Sequence, residues 1–222
     1  MTTTPSAPAT SVRTLLGRQP IWSRTREVYG HEYLYRSPSG RTVHVDRWSA
    51  ARQDVATAAV LDLLDRHDTL GLADDLFGPL AFVNVTRSYV VGSRTLPARP
   101  GRLVVEVVES VPGDQDVLAG LLDLKAQGFQ VAIDDFVATP DQLVMLPFAD
   151  YVKIDVRDLD RTLGYDLVAV ASEHGATLVA ERVETEQLVD RCVDLGFDLL
   201  QGDALAPTAV LVHDAPLVPS QR

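Results

Sequence analysis

Six short apolar runs, each closing on polar or acidic residues and each bordered by stretches of helical spacing, constrain this 222-residue chain more than any other feature. The runs are LAFVNVT from Leu80, LVVEVVE from Leu103, QVAIDDF from Gln130, YVKIDV from Tyr151, TLVAERV from Thr177 and FDLLQ from Phe197. Near-continuous β-branched runs of this length suit parallel strands buried on both faces. Residues 114–127, 166–174 and 186–195 carry apolar side chains at helical spacing and stop at Gly128, Gly175 and Gly196. Residues 50–66 form a fourth, alanine-rich helix candidate. Strands alternating with helices predict a parallel α/β architecture, either a closed barrel or an open sheet. Neither GxGxxG nor GxxxxGK[ST] occurs, which counts against a nucleotide-binding open sheet.

Charge and composition narrow the function. With 20 Lys+Arg against 31 Asp+Glu the chain carries a formal charge of −11, which disfavours a broad phosphate-binding surface and predicts no DNA partner. A single cysteine, Cys192, excludes an internal disulfide framework. No apolar run approaches the roughly 18–20 residues of a membrane span, and the amino terminus lacks a signal-peptide core. No membrane association and a cytoplasmic location are therefore expected. Residues 1–13 read as a disordered tail, 14–207 as the folded domain and 208–222 as a proline-bearing tail or linker. The LADDLFG segment with Asp74 and Asp75 reads as a solvated turn.

The chemical signal is where the polar residues fall. Asn84, Glu106, Asp134, Asp135, Lys153, Asp155, Glu181 and Gln201 all lie late in their runs. In a βα barrel those strand ends share one mouth, where barrel active sites sit. A ring of at least four carboxylates repels itself unless cations bind there, and oxygen ligands suit Mg²⁺, Mn²⁺ or Ca²⁺. Adjacent aspartates can bridge two ions that activate water against a phosphodiester. Metal-assisted proton abstraction with Lys153 as base is equally consistent with the pattern, and spacing leaves both open. Strand-end acids also cap helices, although capping does not call for Asn, Lys and Gln at the same positions.

The segment RQPIWSRTREVYGHEYLYR resembles the opening of EAL domains, the cyclic di-GMP phosphodiesterase fold, with its Glu-x-Leu-x-Arg signature at Glu32-Tyr33-Leu34-Tyr35-Arg36. VNVT, VVEVVES, IDDF, VKID, VAERVET and LLQG follow in family order, so the resemblance spans Leu16 to Pro207. It implies a TIM-like (β/α) barrel of EAL type whose first strand, near Val28–Tyr35, runs antiparallel to the rest. It further implies hydrolysis of cyclic di-GMP to linear pGpG with two Mg²⁺ or Mn²⁺ ions. In that scheme Glu32, Asn84, Glu106 and Asp134 hold one ion, and Asp134, Asp135 and Glu181 the second. Lys153 lies near the attacking water, and Glu181 serves as ligand or proton acceptor. Gln19, Arg36 and Gln201 contact the dinucleotide, and Glu109 braces the loop after Asp135.

The chain also departs from the family pattern. Active members usually follow the two aspartates with Phe-Gly-x-Gly, a loop that helps them dimerise; here the text is DDFVATPDQL. Asp203 stands where the family usually has an aromatic. These departures are most like the EAL-like domains that precede HDOD domains, and the ending APTAVLVHDAPLVPSQR resembles the linker to that second domain. A homodimer, a protein partner or an HDOD-like domain is accordingly implied as an associate. The loop predicts weak turnover. The alternative is a catalytically degenerate module that binds cyclic di-GMP or a protein as a signalling regulator.

Overall fold

Period-two alternation along the strands sets the architecture. The computed structural model describes residues 11–37, 39, 45–66, 79–97, 100–159 and 166–216; the expected Asp74–Asp75 turn and the outer parts of both expected tails lie outside the described residues. Nine strands are present: β1 (Ser11–Ser23), β2 (Val28–Tyr35), β3 (Leu80–Val85), β4 (Leu103–Val107), β5 (Gln130–Ile133), β6 (Tyr151–Asp155), β7 (Thr177–Glu181), β8 (Leu199–Leu200) and β9 (Ala209–Pro216). Strands β2 to β8 pair in sequence order, all parallel. Strand β1 closes the circle, antiparallel to β2 with Gln19 opposite Glu32 and to β8 with Trp22 opposite Leu200. The result is a closed eight-stranded barrel. Strand β9 runs along the outer end of β1, from Ser11 opposite Pro216 to Arg18 opposite Ala209.

The expected antiparallel first strand is present; it is β1 (Ser11–Ser23), not Val28–Tyr35. The four residues between β1 and β2 make a tight turn in which Ser23 N donates to Glu27 O and Arg26 N to Ser23 O, both at 2.9 Å. A turn that short can only join antiparallel strands, whereas β2 reaches β3 through a helix and is parallel to it. Paired backbone runs from Ser11, where β1 begins, to Pro216, where β9 ends. The alternation Val210-Leu211-Val212 is the reason: Leu211 packs on the core while the two valines point outward.

The connecting helices are α1 (Ala50–Arg66), α2 (Arg87–Val90), α3 (Gln115–Ala126), α4 (Pro140–Met145), α5 (Leu167–Ser172) and α6 (Glu186–Asp194). Local chemistry defines their ends. Asp114, Asp166 and Thr185 accept backbone N–H bonds at the starts of α3, α5 and α6. Gly128 and Gly196 leave α3 and α6 at φ of +87° and +96°, a conformation that side-chain-bearing residues resist. No helix among the described residues is long and apolar enough to cross a membrane.

Inside the barrel the side chains stack in layers. Ile21, Phe82, Val104, Ala132, Tyr151, Val179 and Leu199 form a closed apolar layer, one residue per strand. On β2 the corresponding residue is Gly30, where a Cβ would lie 2.8 Å from the Phe82 ring. The neighbours in sequence, such as Val83, Val105, Ile133, Val152 and Leu178, point outward into the helix-facing core. Two residues further toward the carboxyl ends, the same inward direction brings up Glu32, Asn84, Glu106, Asp134, Lys153, Glu181 and Gln201. On antiparallel β1 the count runs backward, from Ile21 to Gln19.

Candidate active site at the carboxyl mouth of the barrel

That polar layer centres on one lysine. Lys153 is 0% exposed, and its Nζ lies 2.8 Å from Glu106 Oε1, 2.8 Å from Glu181 Oε1, 3.1 Å from Asp134 Oδ1 and 3.5 Å from Glu32 Oε2. Glu32 is tied down on its other side. Its Oε1 accepts from Asn84 Nδ2 at 3.2 Å and its Oε2 from Gln201 Nε2 at 2.6 Å. Gln201 Nε2 also reaches Gln19 Oε1 at 3.3 Å. From outside the barrel, Thr57 of α1 donates to the Asn84 carbonyl at 3.0 Å and fixes that strand end.

One ammonium faces four carboxylates, and burial makes the imbalance costly. Burial first, and then the Asp134, Glu32 and Asp135 charges, push the Glu181 carboxyl up to about 8 against the pull of Lys153. Burial drives Glu106 well above the usual carboxylate range. Asp135 rises to about 6 through burial and the adjacent Asp134 charge. Burial works against the Lys153 charge, yet Asp134, Glu106, Glu181 and Glu32 together outweigh it and raise that pKa well above its ordinary value. The layer holds more negative charge than its own residues can neutralise.

The donor set fits hard divalent cations: carboxylates plus an amide oxygen. Asn84 Oδ1 and Glu106 Oε2 are buried and have no hydrogen-bond partner among the described residues. Among the described residues no three acidic, histidine or cysteine side chains stand preset around one metal position, because the carboxylates face the ammonium instead. Above the layer opens a pocket of about 480 Å³, lined by Gln19, Glu32, Arg36, Asn84, Asp134, Asp135, Glu181 and Gln201. Its size is that of a small-molecule site. Glu106 and Lys153 lie beneath its floor, wholly buried. Arg36 is buried at its side, with the guanidinium where a Cβ on Gly17 would be, 2.7 Å away.

The loop after Asp135 is organised by a residue that the strand pattern did not flag. Gln142 is 3% exposed. Its Oε1 accepts from Val137 N at 3.0 Å and Thr139 N at 3.3 Å, and its Nε2 donates to the carbonyls of Asp134 at 3.3 Å and Asp135 at 3.0 Å. Thr139 Oγ1 accepts from Gln142 N at 3.2 Å and completes a capping box, with Pro140 opening α4. A Thr-x-x-Gln spacing was the available signal. Glu109, expected to brace this loop, is exposed at the pocket edge, near enough for its charge to act on Asp135. Gln142→Ala should strand four backbone groups, cost about 1–3 kcal/mol and weaken Mn²⁺ binding. Thermal unfolding and a Mn²⁺ titration check both.

After Asp135, itself at φ +45°, the glycine-free stretch Val137–Thr139 has one left-handed position. Ala138 sits at φ +59°, whereas Thr139 is extended at φ −64°, and Val137 is not among the positive-φ residues. Relief by glycine therefore belongs at 138 alone, since Gly at 139 would remove the cap. Ala138→Gly should stabilise by about 0.5–1 kcal/mol, the left-handed strain less the added backbone entropy. An unchanged or lowered melting temperature would contradict it.

A model of the EAL domain family matches residues 18–208. The chain is 28% identical over 209 residues to the uncharacterized protein YuxH of Bacillus subtilis (strain 168), covering 91% of this chain and 49% of that one. It is 26% identical over 195 residues to the cyclic di-GMP phosphodiesterase CdgJ of Vibrio cholerae, covering 87% of this chain and 44% of that one. The chain thus spans about half the length of these relatives. Among solved structures, Bacillus subtilis YkuI, a protein with an EAL domain in complex with cyclic di-GMP and calcium, superposes with a TM-score of 0.69 at 19% identity, over 88% of this chain and 56% of that one. The EAL domain of Mycobacterium smegmatis DcpA gives 0.63 at 25%, over 89% and 93%.

Proposed function

The chain belongs to the EAL domain family, and on that premise we propose that it binds cyclic di-GMP at the barrel mouth and slowly hydrolyses one phosphodiester to give linear pGpG. The observation that carries this reading is the buried ring of Glu32, Glu106, Asp134 and Glu181 with the unpartnered Asn84 and Glu106 oxygens. That CdgJ is a cyclic di-GMP phosphodiesterase and that YkuI holds cyclic di-GMP and calcium support it. Glu32, Asn84, Glu106 and Asp134 are the residues that would hold one Mg²⁺ or Mn²⁺, and Asp134, Asp135 and Glu181 the other. Such ions supply a water of lowered pKa and stabilise charge on the attacked phosphate.

The chain's own groups do the rest. Glu181 takes a proton, Lys153 holds four carboxylates in one plane of the barrel, and Gln19, Gln201 and Arg36 orient the dinucleotide. Turnover is slow because Asp135 depends on a loop that passes through a strained alanine, and a displacement of about 1 Å at a reacting centre costs about 10²-fold. The same reading makes the chain part of bacterial cyclic di-GMP signalling. Cyclic di-GMP turnover in Mg²⁺ or Mn²⁺, set beside binding in Ca²⁺, tests it. Tight binding with slow pGpG formation is expected. Absence of binding would overturn the reading, and binding with no turnover would leave the degenerate module.

A further inference from the structure

The pocket that takes this ligand is lined by seven acidic side chains and by two arginines, Arg36 and Arg182. Resting on the cyclic di-GMP reading, we propose that Arg182 is a second phosphate-binding position at the rim, which takes the phosphodiester that is not attacked. A cyclic dinucleotide carries two phosphates. The one over the metal-ligand layer is countered there; the other would face a wall of carboxylates unless a cation stands near it.

Arg182 is placed for that task. It follows β7, whereas Arg36 follows β2, with β8 and β1 between them round the barrel. Its side chain is 56% exposed, and its Nε lies 2.9 Å from Oδ2 of the buried Asp155. Asp155 is already served by Arg157, whose Nε lies 3.0 Å from both carboxylate oxygens, whose Nη2 lies 2.5 Å from Oδ2 and whose backbone N donates to Oδ1 at 2.9 Å. Two guanidinium groups therefore share the Asp155 carboxylate, and Arg157, which also faces the Asp158 and Glu184 charges, leaves Arg182 the less engaged of the two. The ion pair through Nε holds the Arg182 side chain beside Asp155 and leaves its terminal nitrogens without an acceptor among the described residues. A guanidinium fork matches phosphate oxygens in paired hydrogen bonds.

The backbone points the same way. Arg182 holds φ at +55°, a region that disfavours residues with a Cβ. Strain of this kind persists where the surroundings enforce it, and it concentrates at ligand-clamping positions. Glycine would hold this backbone with less strain and could not contact a phosphate, so the substitution separates the two roles.

The test is calorimetric binding in Ca²⁺ with wild type, Arg182→Gly and Arg182→Lys. Cyclic di-GMP and 5′-GMP, which has a single phosphate, are the probes. Arg182→Gly should bind cyclic di-GMP roughly tenfold more weakly, keep its 5′-GMP affinity, and melt no lower than wild type without ligand. Arg182→Lys should recover part of the loss, and the salt dependence of binding should be shallower in the glycine variant. Equal cyclic di-GMP affinity in wild type and Arg182→Gly would overturn the assignment, as would equal weakening of both ligands. Wild-type protein that binds no cyclic di-GMP would overturn the proposed function and this position with it. Should the glycine variant fold poorly, Arg182→Gln supplies the same comparison: tenfold weaker cyclic di-GMP binding supports the position, and unchanged affinity overturns it.

Discussion

Lys153→Met should lower stability by about 3–5 kcal/mol at pH 8 in EDTA, because it leaves buried carboxylates without their countercharge. For a chain of this length each kcal/mol moves the melting temperature by roughly 2–4 °C, so the loss is large in a thermal scan. Its pH dependence has a defined sign. Glu181, raised to about 8 in the fold from 4.5, contributes stability that is fully present below about 4.5 and lost as pH rises through 8. Removing the ammonium, which pulls Glu106 and Glu181 down, raises those two further, so the gap between variant and wild type should widen from pH 5 to pH 9. Millimolar Mn²⁺ should raise the variant's melting temperature more than the wild type's, since divalent ions restore positive charge to the ring. A variant that melts like wild type at pH 8 in EDTA would show that the ammonium does not balance the layer.

Much of this site was legible because strand geometry repeats every two residues. Once Phe82, Val104, Tyr151 and Val179 are placed inward, Asn84, Glu106, Lys153 and Glu181 must follow on the same side. Gln19 could not be reached that way: β1 is antiparallel, so its inward polar residue precedes the apolar one, and only the family resemblance pointed to it. The antiparallel first strand likewise came from the resemblance, because pattern alone gives a strand no direction, and only its position along the chain was misplaced. Gln142 escaped notice for another reason. Its role is to satisfy backbone groups of a loop, and loop paths leave no periodic trace. Arg182 was obscured because neither its left-handed backbone nor its bond to Asp155 can be read from the order VAERVET. The short Val-Leu-Val alternation of β9 was masked by the prolines around it.

The ring also separates binding from chemistry at a single residue. Glu181→Gln keeps the shape of the side chain and resembles the protonated carboxyl, the form that Glu181 adopts below about pH 8 in this fold. The amide carries no charge to desolvate, so the variant should be at least as stable as wild type at pH 9 without metal. Lys153 keeps Glu106 at 2.8 Å and Asp134 at 3.1 Å, so its position is secured without Glu181. What the amide cannot do is take a proton or give a divalent ion a full negative charge. Loss of an acid–base role costs about 10²–10⁴-fold, and pGpG formation should fall by that factor in Mn²⁺. Cyclic di-GMP affinity in Ca²⁺ should change far less, because Gln19, Gln201 and Arg36 are untouched. Wild-type turnover in Glu181→Gln would remove Glu181 from the chemistry. Equal losses of binding and turnover would instead make it a holder of the ligand, with the proton taken by another carboxylate of the ring.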